Sequence, residues 1–382
     1  MTRPSIRVLT LIESATVTGP SRNLIEFGKL AAIPEPGLPI VEIIVATYQR
    51  GSDESPLAAT AKNAGLSAFT ISERRRWDTK VFAQLRRMIA QCQPDILESR
   101  NVKSHFLVRV LGLHKTCRWV AWNHGYTATN WLDRSYSQLD RWSLRGAYRV
   151  VTVCGPFADT LASRGVDRDK ITVLHNSVKP FVAPPLEQVQ RVRHSLGLHD
   201  EAVILAVGRL SYEKGIADLL RAVAVLRNTK GVPDFRLVVV GDGPEREPLA
   251  RLASQLGIEA KLTMAGFQRD TNPYYSVATL LAVPSHTEGS PNVVLEGMAA
   301  GLPIAATAVG GVPEILEDGV TGLMVLPRNP DAMAGAILRI LTDPEMRIRL
   351  GAVARLRAES NFTPAAYKRS LVEFYQKTLE GR

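Results

Sequence analysis

The sequence predicts an α/β protein of two Rossmann-like domains, and three observations lead there. Short runs rich in Val, Ile and Leu alternate with amphipathic helical stretches, and they do so twice along 382 residues. A chain of that length divides readily into two domains of ordinary size. Between the two series, Lys179-Pro180-Phe181-Val182-Ala183-Pro184-Pro185 interrupts regular structure. Strands that alternate with helices form parallel sheets covered on both faces. Each half is therefore expected to be doubly wound, the two facing each other across a cleft, with domains at 1–180 and 181–363 and a C-terminal helix at 364–382.

Each expected element follows from its local pattern. In the first half, strands are read at Arg7–Ile12, Val41–Thr47, Ala68–Ile71, Ile96–Glu98, Trp119–Trp122, Arg149–Val153 and Ile171–Leu174. Helical patterns lie between them, among them 80–92 and 103–113. In the second half, strands are read at Val203–Val207, Leu237–Val240, Lys261–Ala265, Leu280–Val283, Ile304–Ala306 and Gly322–Val325. The last stretch carries Tyr367, Leu371, Phe374 and Tyr375 at helical spacing. No repeat of 20–50 residues and no low-complexity tract interrupts the scheme.

Composition narrows the function classes. Apolar residues make up 45% and charged residues 22%, a globular balance. Cys92, Cys117 and Cys154 have neither metal-ligand nor redox spacing and read as reduced core thiols. No apolar run approaches the ~18 residues of a membrane span. The run Ile6–Ile12 ends at Glu13 without a cleavage-site pattern and reads as a first strand, not a signal peptide. The net charge of +10 is unevenly placed: residues 1–180 carry 25 Lys and Arg against 15 Asp and Glu, and residues 181–382 carry 22 against 22. One surface of the first half is expected to meet something acidic.

The most informative segment is 285–322. Glu288 and Glu296 stand eight positions apart across a Gly-Ser-Pro loop and an apolar helix beginning near Asn292. The N-terminus of that helix offers unpaired N–H groups and partial positive charge to whatever occupies the loop. A carboxylate one turn further in accepts hydrogen bonds from hydroxyls but cannot hold a phosphate. The pattern suits a ligand with an anionic group and vicinal hydroxyls, such as a nucleotide sugar.

Four blocks carry a family resemblance. Gly208-Arg209-Leu210-Ser211-Tyr212-Glu213-Lys214-Gly215 resembles a diphosphate-binding loop, and Gly241-Asp242-Gly243-Pro244 the next strand-end loop. Glu288-Gly289-Ser290-Pro291 with Glu296 resembles a Glu-x7-Glu motif, and Gly310-Gly311-Val312-Pro313-Glu314 the segment after it. In this order they resemble the C-terminal signature of the retaining glycosyltransferases of family 4, of GT-B architecture. The N-terminal half resembles that family more weakly, through its opening strand, His124-Gly125 and Asn176.

The resemblance implies a retaining, metal-independent hexosyltransferase that uses a UDP- or GDP-sugar and needs no cofactor. In open α/β sheets ligands sit beyond the carboxyl ends of the strands, where each motif falls. Arg209 and Lys214 would neutralise the diphosphate and stabilise the charge that develops as it leaves. Glu296 would accept ribose hydroxyl hydrogen bonds. Glu288 would contact hydroxyls of the transferred sugar, with the loop of Ser290, Pro291, Asn292 and Val293 and its backbone N–H groups nearby. Gly241 lies in the neighbouring strand-end loop. Gly19 closes the first strand-to-helix turn, where the family has two glycines and this chain has Gly19-Pro20; the proline removes an N–H donor and fits a first-turn helix position equally well. His124 would touch the donor sugar, through its side chain or its carbonyl. Asn176 falls where the family commonly has Asn-Gly-Val-Asp, from which Ser177 and Lys179 depart. Asp167-Arg168-Asp169 spells a metal-binding motif of another glycosyltransferase architecture, but reads here as a solvated turn, and no metal site is expected. No residue is assigned as nucleophile. In GT-B enzymes the terminal helix crosses back to the N-terminal domain, as Pro364–Leu379 could here.

Two other functions compete. A GT-B sugar-nucleotide epimerase shares the fold without transferring sugar. A nucleic-acid-binding protein is suggested by the pI of about 9.6 and Arg74-Arg75-Arg76-Trp77, but there is no recognisable motif or aromatic stacking array, so no nucleic acid is expected. The stretch after Trp77 sets Val81, Leu85 and Ile89 beside Arg86 and Arg87, and Phe106, Val110 and Leu113 repeat the theme with Lys103 and Arg109. That pattern fits an anionic membrane surface and a glycan or lipid-linked acceptor, placing the protein in the cytoplasm or at the cytoplasmic membrane face, in polysaccharide or glycolipid synthesis. A core-facing helix with a solvated basic side would give the same spacing.

Overall fold

The computed structural model describes residues 5–13, 19–51, 54–75, 78–125 and 131–381, with the side chains of 131–137 outside the description. Arg76, Trp77 and Tyr126, and all but Gly19, Pro20 and Ser21 of the first strand-to-helix loop, lie outside the described residues. The chain divides into two compact units, 1–176 with 364–382, and 177–363. The expected boundary at 180 lies in the irregular segment between Val173 and Leu186.

The first unit has seven strands: β1 (Ser5–Ile12), β2 (Ile40–Arg50), β3 (Ser67–Glu73), β4 (Ile96–Ser99), β5 (Arg118–Asn123), β6 (Arg149–Thr152) and β7 (Ile171–Val173). They pair in parallel in the order β3-β2-β1-β4-β5-β6-β7. The second unit has six: β8 (Ala202–Val207), β9 (Phe235–Val240), β10 (Leu262–Gly266), β11 (Leu280–Val283), β12 (Ile304–Thr307) and β13 (Leu323–Val325). Their order is β10-β9-β8-β11-β12-β13, again all parallel.

Burial explains why these strands are nearly continuous apolar runs. A parallel sheet has helices on both faces, so both sets of alternating side chains must be apolar. In β8, Ile204 and Ala206 join one core while Val203 and Leu205 join the other. The covering helices bury single stripes: Ile216–Asn228 buries Leu219, Leu220, Val223 and Leu226. The terminal helix Pro364–Glu380 belongs to the first unit, burying Leu371, Val372, Phe374 and Tyr375 in the core that includes β1 and β2.

Lys80–Cys92 is a helix whose Val81, Leu85, Met88 and Cys92 are buried in the sheet's other core, with Ile89 packed against it. Its apolar side is core surface and its arginines form the solvated side. The apolar positions read as possible membrane contacts are thus used in folding on this helix.

Both sheets share one topological device. The chain leaves β1 and β8 to build outward on one side, then returns to add strands on the other. The switch points lie between β1 and β4 and between β8 and β11, where neighbouring strand-end loops diverge and leave a crevice for ligands.

Candidate functional site

The loops after β8 and β11 flank the second switch point, and they hold Arg209, Lys214, Glu288, Ser290 and Pro291. Backbone bonds tie them together. His286 N donates to the Glu213 carbonyl at 2.8 Å, and Gly311 N to the Gly289 carbonyl at 3.0 Å. Leu210 N donates to the Asp242 carbonyl at 2.9 Å, which joins the loop of Gly241 to that of Arg209. Two glycines make this closeness possible. At Gly241 (φ +141°) a Cβ would sit 1.8 Å from the Gly208 carbonyl oxygen, and at Gly310 (φ +53°) 1.6 Å from that of Glu288. Neither position can carry a side chain without displacing backbone.

The charged groups divide into paired and open. Lys214 Nζ is 2.8 Å from Glu288 Oε1, which also accepts from Ser285 Oγ at 2.6 Å. The Glu288 side chain is 7% exposed and that of Lys214 28%, so the pair stands at the wall of the crevice with the ammonium outermost. Arg209 is exposed, and its side chain has no hydrogen bond or ion pair among the described residues. Beside them Glu213 accepts from Ser211 Oγ at 2.6 Å. Burial would raise its carboxyl, but the Ser211 bond and its own backbone amide, then the charges of Lys214 and Arg209, hold it below the usual range.

Glu296 lies inside the helix Asn292–Ala299, as its spacing from Glu288 requires. Its Oε2 accepts from Tyr275 Oη at 2.7 Å. Tyr275 is buried, and burial together with the Glu296 charge pushes the phenol well above its ordinary pKa, so it stays a donor and orients the carboxylate. Pro291 is the N-cap, and its carbonyl accepts from Val294 and Leu295. The N–H groups of Asn292 and Val293 have no acceptor among the described residues, and Asn292 Oδ1 is buried without a partner. A ligand at this helix start would meet two donors and one acceptor.

In the first unit, Gly19 and Pro20 open the helix Gly19–Ala31 after β1. Asn23 in its next turn donates to Asn176 Oδ1 at 3.1 Å, so Asn176 and the start of that helix come together. His124 follows β5, its ring stacked on Trp122 with centroids 5.9 Å apart and planes 21° apart. Burial first, then the charges of Arg100 and His105, lower its pKa to about 3, so it is neutral across the physiological range. Its Nε2 is buried without a hydrogen-bond partner.

Other side chains have local roles. Asp167 Oδ1 accepts from the Asp169 N–H at 3.1 Å and caps a 3₁₀ turn, Arg168–Lys170. On the helix Val102–Val110 and the helix that ends at Leu144, Val110 and Trp142 are 48% and 46% exposed. Phe106 stands 6.3 Å and the Arg109 guanidinium 5.5 Å from the Trp142 ring. Exposed aromatic and apolar surface beside cations therefore exists on these helices rather than on Lys80–Cys92. No described helix is long and apolar enough to cross a membrane.

Sequence reasoning missed Ser285 and Tyr275, the partners that hold the two glutamates. Ser285 was within its reach, as a small polar residue two positions after a strand and three before Glu288. Tyr275 has no such signal, since a tyrosine in a short helix reads as core.

Comparison with known proteins bears on the family and the fold. The model of Glycosyltransferase Family 4 matches residues 41–180, and that of Glycosyl transferases group 1 matches residues 189–357. An uncharacterized glycosyltransferase of Methanocaldococcus jannaschii is 36% identical over 202 residues, 51% of this chain and 51% of that protein. The GDP-mannose-dependent alpha-(1-6)-phosphatidylinositol monomannoside mannosyltransferase of Mycolicibacterium smegmatis is 33% identical over 227 residues, 57% of this chain and 56% of that one. The chain spans about half the length of these curated relatives. HepE of Anabaena, crystallised in complex with UDP, has a TM-score of 0.82 at 18% identity, over 97% of this chain and 100% of that one, a likeness of fold. With a Family 4 region followed by a group 1 region on this double scaffold, the chain belongs to the GT-B glycosyltransferases.

Proposed function

We propose that this protein transfers a hexose from a UDP- or GDP-sugar to a glycan or lipid-linked acceptor, with retention of anomeric configuration and without a metal. The observation that carries the proposal is the cation pair at the second switch point: Arg209 unpaired, and Lys214 held by Glu288 at the crevice wall. A diphosphate there meets two positive charges and the free N–H groups of Asn292 and Val293. Glu296, oriented by Tyr275, is left to accept ribose hydroxyl hydrogen bonds. Glu288 has two tasks in this reading, contacting the sugar and holding Lys214 in place.

As the bond between the anomeric carbon and the diphosphate oxygen breaks, its electron pair goes to the diphosphate, where Arg209 and Lys214 offset the growing charge. The acceptor hydroxyl attacks from the same face, and its proton passes to the departing oxygen beside it. This route uses no protein nucleophile. HepE was crystallised with UDP-glucose as well as with UDP, which supports a nucleotide-sugar donor.

The basic first unit is the place for the acceptor in this reading. The exposed Trp142 and Val110 beside Arg109, and the relative named for a phosphatidylinositol mannoside, support an acceptor presented at an anionic lipid surface. The test is a screen of UDP- and GDP-sugars for slow donor hydrolysis in chelator, with the anomeric configuration of the released sugar read by NMR. Release with retention from one donor supports the proposal, while appearance of an epimer without release favours an epimerase. Sedimentation with vesicles tests the surface: binding should need anionic lipid, fall with salt, and weaken in Trp142→Ser.

A further inference from the structure

The first unit holds a buried polar cluster that the proposed transfer leaves unused. Glu98 lies in β4, fully buried in the middle of a parallel sheet, where an apolar residue is the rule. Its Oε1 accepts from Trp122 Nε1 and from Tyr375 Oη, each at 2.7 Å. Its Oε2 accepts from Thr10 Oγ1 at 3.0 Å and from Arg100 Nε and Nη2 at 3.2 and 3.0 Å. Arg100 is itself 7% exposed, and its guanidinium lies 4.1 Å from the centre of the Trp122 ring. The same ring carries the stacked imidazole of His124.

Stability is a weak reason for such a cluster. Taking two charges out of water costs about as much as their attraction returns, and well-packed apolar residues of similar volume serve as well or better. What the pair does that apolar residues cannot is place a fixed positive charge and a rigid indole beside His124. Arg100 also stands at the carboxyl end of β4, on the switch point of its sheet.

We propose that Glu98 and Arg100 are positioning residues for His124, fixing the Trp122 platform on which its imidazole stacks, so that His124 Nε2 exchanges a hydrogen bond with a hydroxyl of the transferred hexose. This rests on the reading of His124 as a donor-sugar residue. Among the described residues, the charged and titratable groups that act on the imidazole are Arg100 and His105, which oppose its protonation, and the carboxylates of the adjoining network are Glu98 and Asp140. Glu98 is occupied by Arg100, and Asp140 faces His105 at 3.8 Å. A neutral ring adds no repulsion to the positive charge that builds at the anomeric carbon as the diphosphate leaves. The terminal helix takes part through Tyr375, whose hydroxyl donates to Glu98.

The test follows the histidine ring signals of the full chain by NMR from about pH 8 down to about pH 4, with His124→Gln used for assignment. In the wild type the His124 signal should stay that of a neutral ring throughout. Arg100→Met removes the charge while burial remains, so it should raise the His124 midpoint towards that window, and Arg100→Lys, which keeps the charge, should lower it again. Because Arg100→Met strands Glu98, whose freed carboxylate would itself raise the midpoint, Glu98→Gln with Arg100→Met is read beside it and should still titrate above the wild type, with better folding. On the donor that the screen identifies, the double variant should lower kcat about tenfold with KM little changed. A wild-type His124 that titrates near its ordinary value, or one that titrates identically in wild type and double variant, overturns the proposal and leaves Glu98 and Arg100 as scaffold. Failure of the wild type to hydrolyse any nucleotide sugar overturns the transfer reading instead, while the titration still decides on the positioning role.

Discussion

In the second unit the charged side chains at the carboxyl edge stand on loops, over a sheet whose interior is apolar, whereas in the first unit Glu98, Arg100 and His105 lie inside the fold. Lys214 and Glu288 meet across two adjacent loops that backbone bonds already hold. Glu98 gathers partners from β1, β5 and the terminal helix, and its bond to Tyr375 spans 277 positions of the chain. The contrast teaches where function and stability are coupled. An exposed loop charge such as Arg209 can be removed while the sheet stands, but a buried charge cannot, because its loss leaves an unpaired partner out of reach of water.

The largest expected effect breaks the buried side of that contrast. Arg100→Ala leaves the Glu98 carboxylate uncompensated and should destabilise the protein by about 3–5 kcal/mol, measured by denaturant unfolding. Arg209→Ala, at an exposed loop position, should shift stability by no more than about 0.5 kcal/mol. Equal losses would erase the distinction between the units.

Next come the two glutamates. Glu296→Ala should mainly weaken binding of both donor and free nucleotide, because ribose belongs to both. Glu288→Ala should mainly lower the rate, by about tenfold or more, because it removes a sugar contact and releases Lys214. Calorimetric titration with free nucleoside diphosphate separates them, and an equal loss in both would refute this division of work.

The next effect concerns pH and is small per pH unit. The folded pKa of His124 lies below its unfolded value, so the unfolded chain takes up the proton first. Stability should therefore fall as pH drops from about 6.5 towards about 3, with His124 contributing at most about 1.4 kcal/mol per pH unit. His105 and His114, also lowered chiefly by burial, act in the same direction. Unfolding curves of His124→Gln should show a shallower slope in this window, and an unchanged slope would mean that His124 is solvated. The smallest effect is expected for Tyr275→Phe, which loses one hydrogen bond to Glu296 and should cost about 1 kcal/mol or less, with a few-fold weaker affinity for nucleotide.

How much of this was legible in the sequence follows the same contrast. Arg209, Lys214, Glu288 and Glu296 could be read because strand-end loops compress a site into contiguous residues, and glycines such as Gly241 and Gly310 mark where backbones touch. The Lys214–Glu288 pairing itself could not be read, since 74 positions separate the two. Glu98 and Arg100 were overlooked although a signal existed: a carboxylate inside a strand buried on both faces needs a cation, and one stands two residues later. The Lys80–Cys92 helix shows a limit of periodicity, because Val81 and Leu85 have the same spacing whether they face a core or a membrane.

In the proposed reaction Arg209 and Lys214 do the work a metal would do at the diphosphate. The most direct measurement is steady-state donor turnover in excess chelator by wild type, Arg209→Ala and Lys214→Ala. Wild type should keep near-full activity without divalent metal, and each variant should lose about 10²-fold or more. A strict Mg²⁺ or Mn²⁺ requirement, or turnover unchanged when either cation is removed, would contradict that proposal.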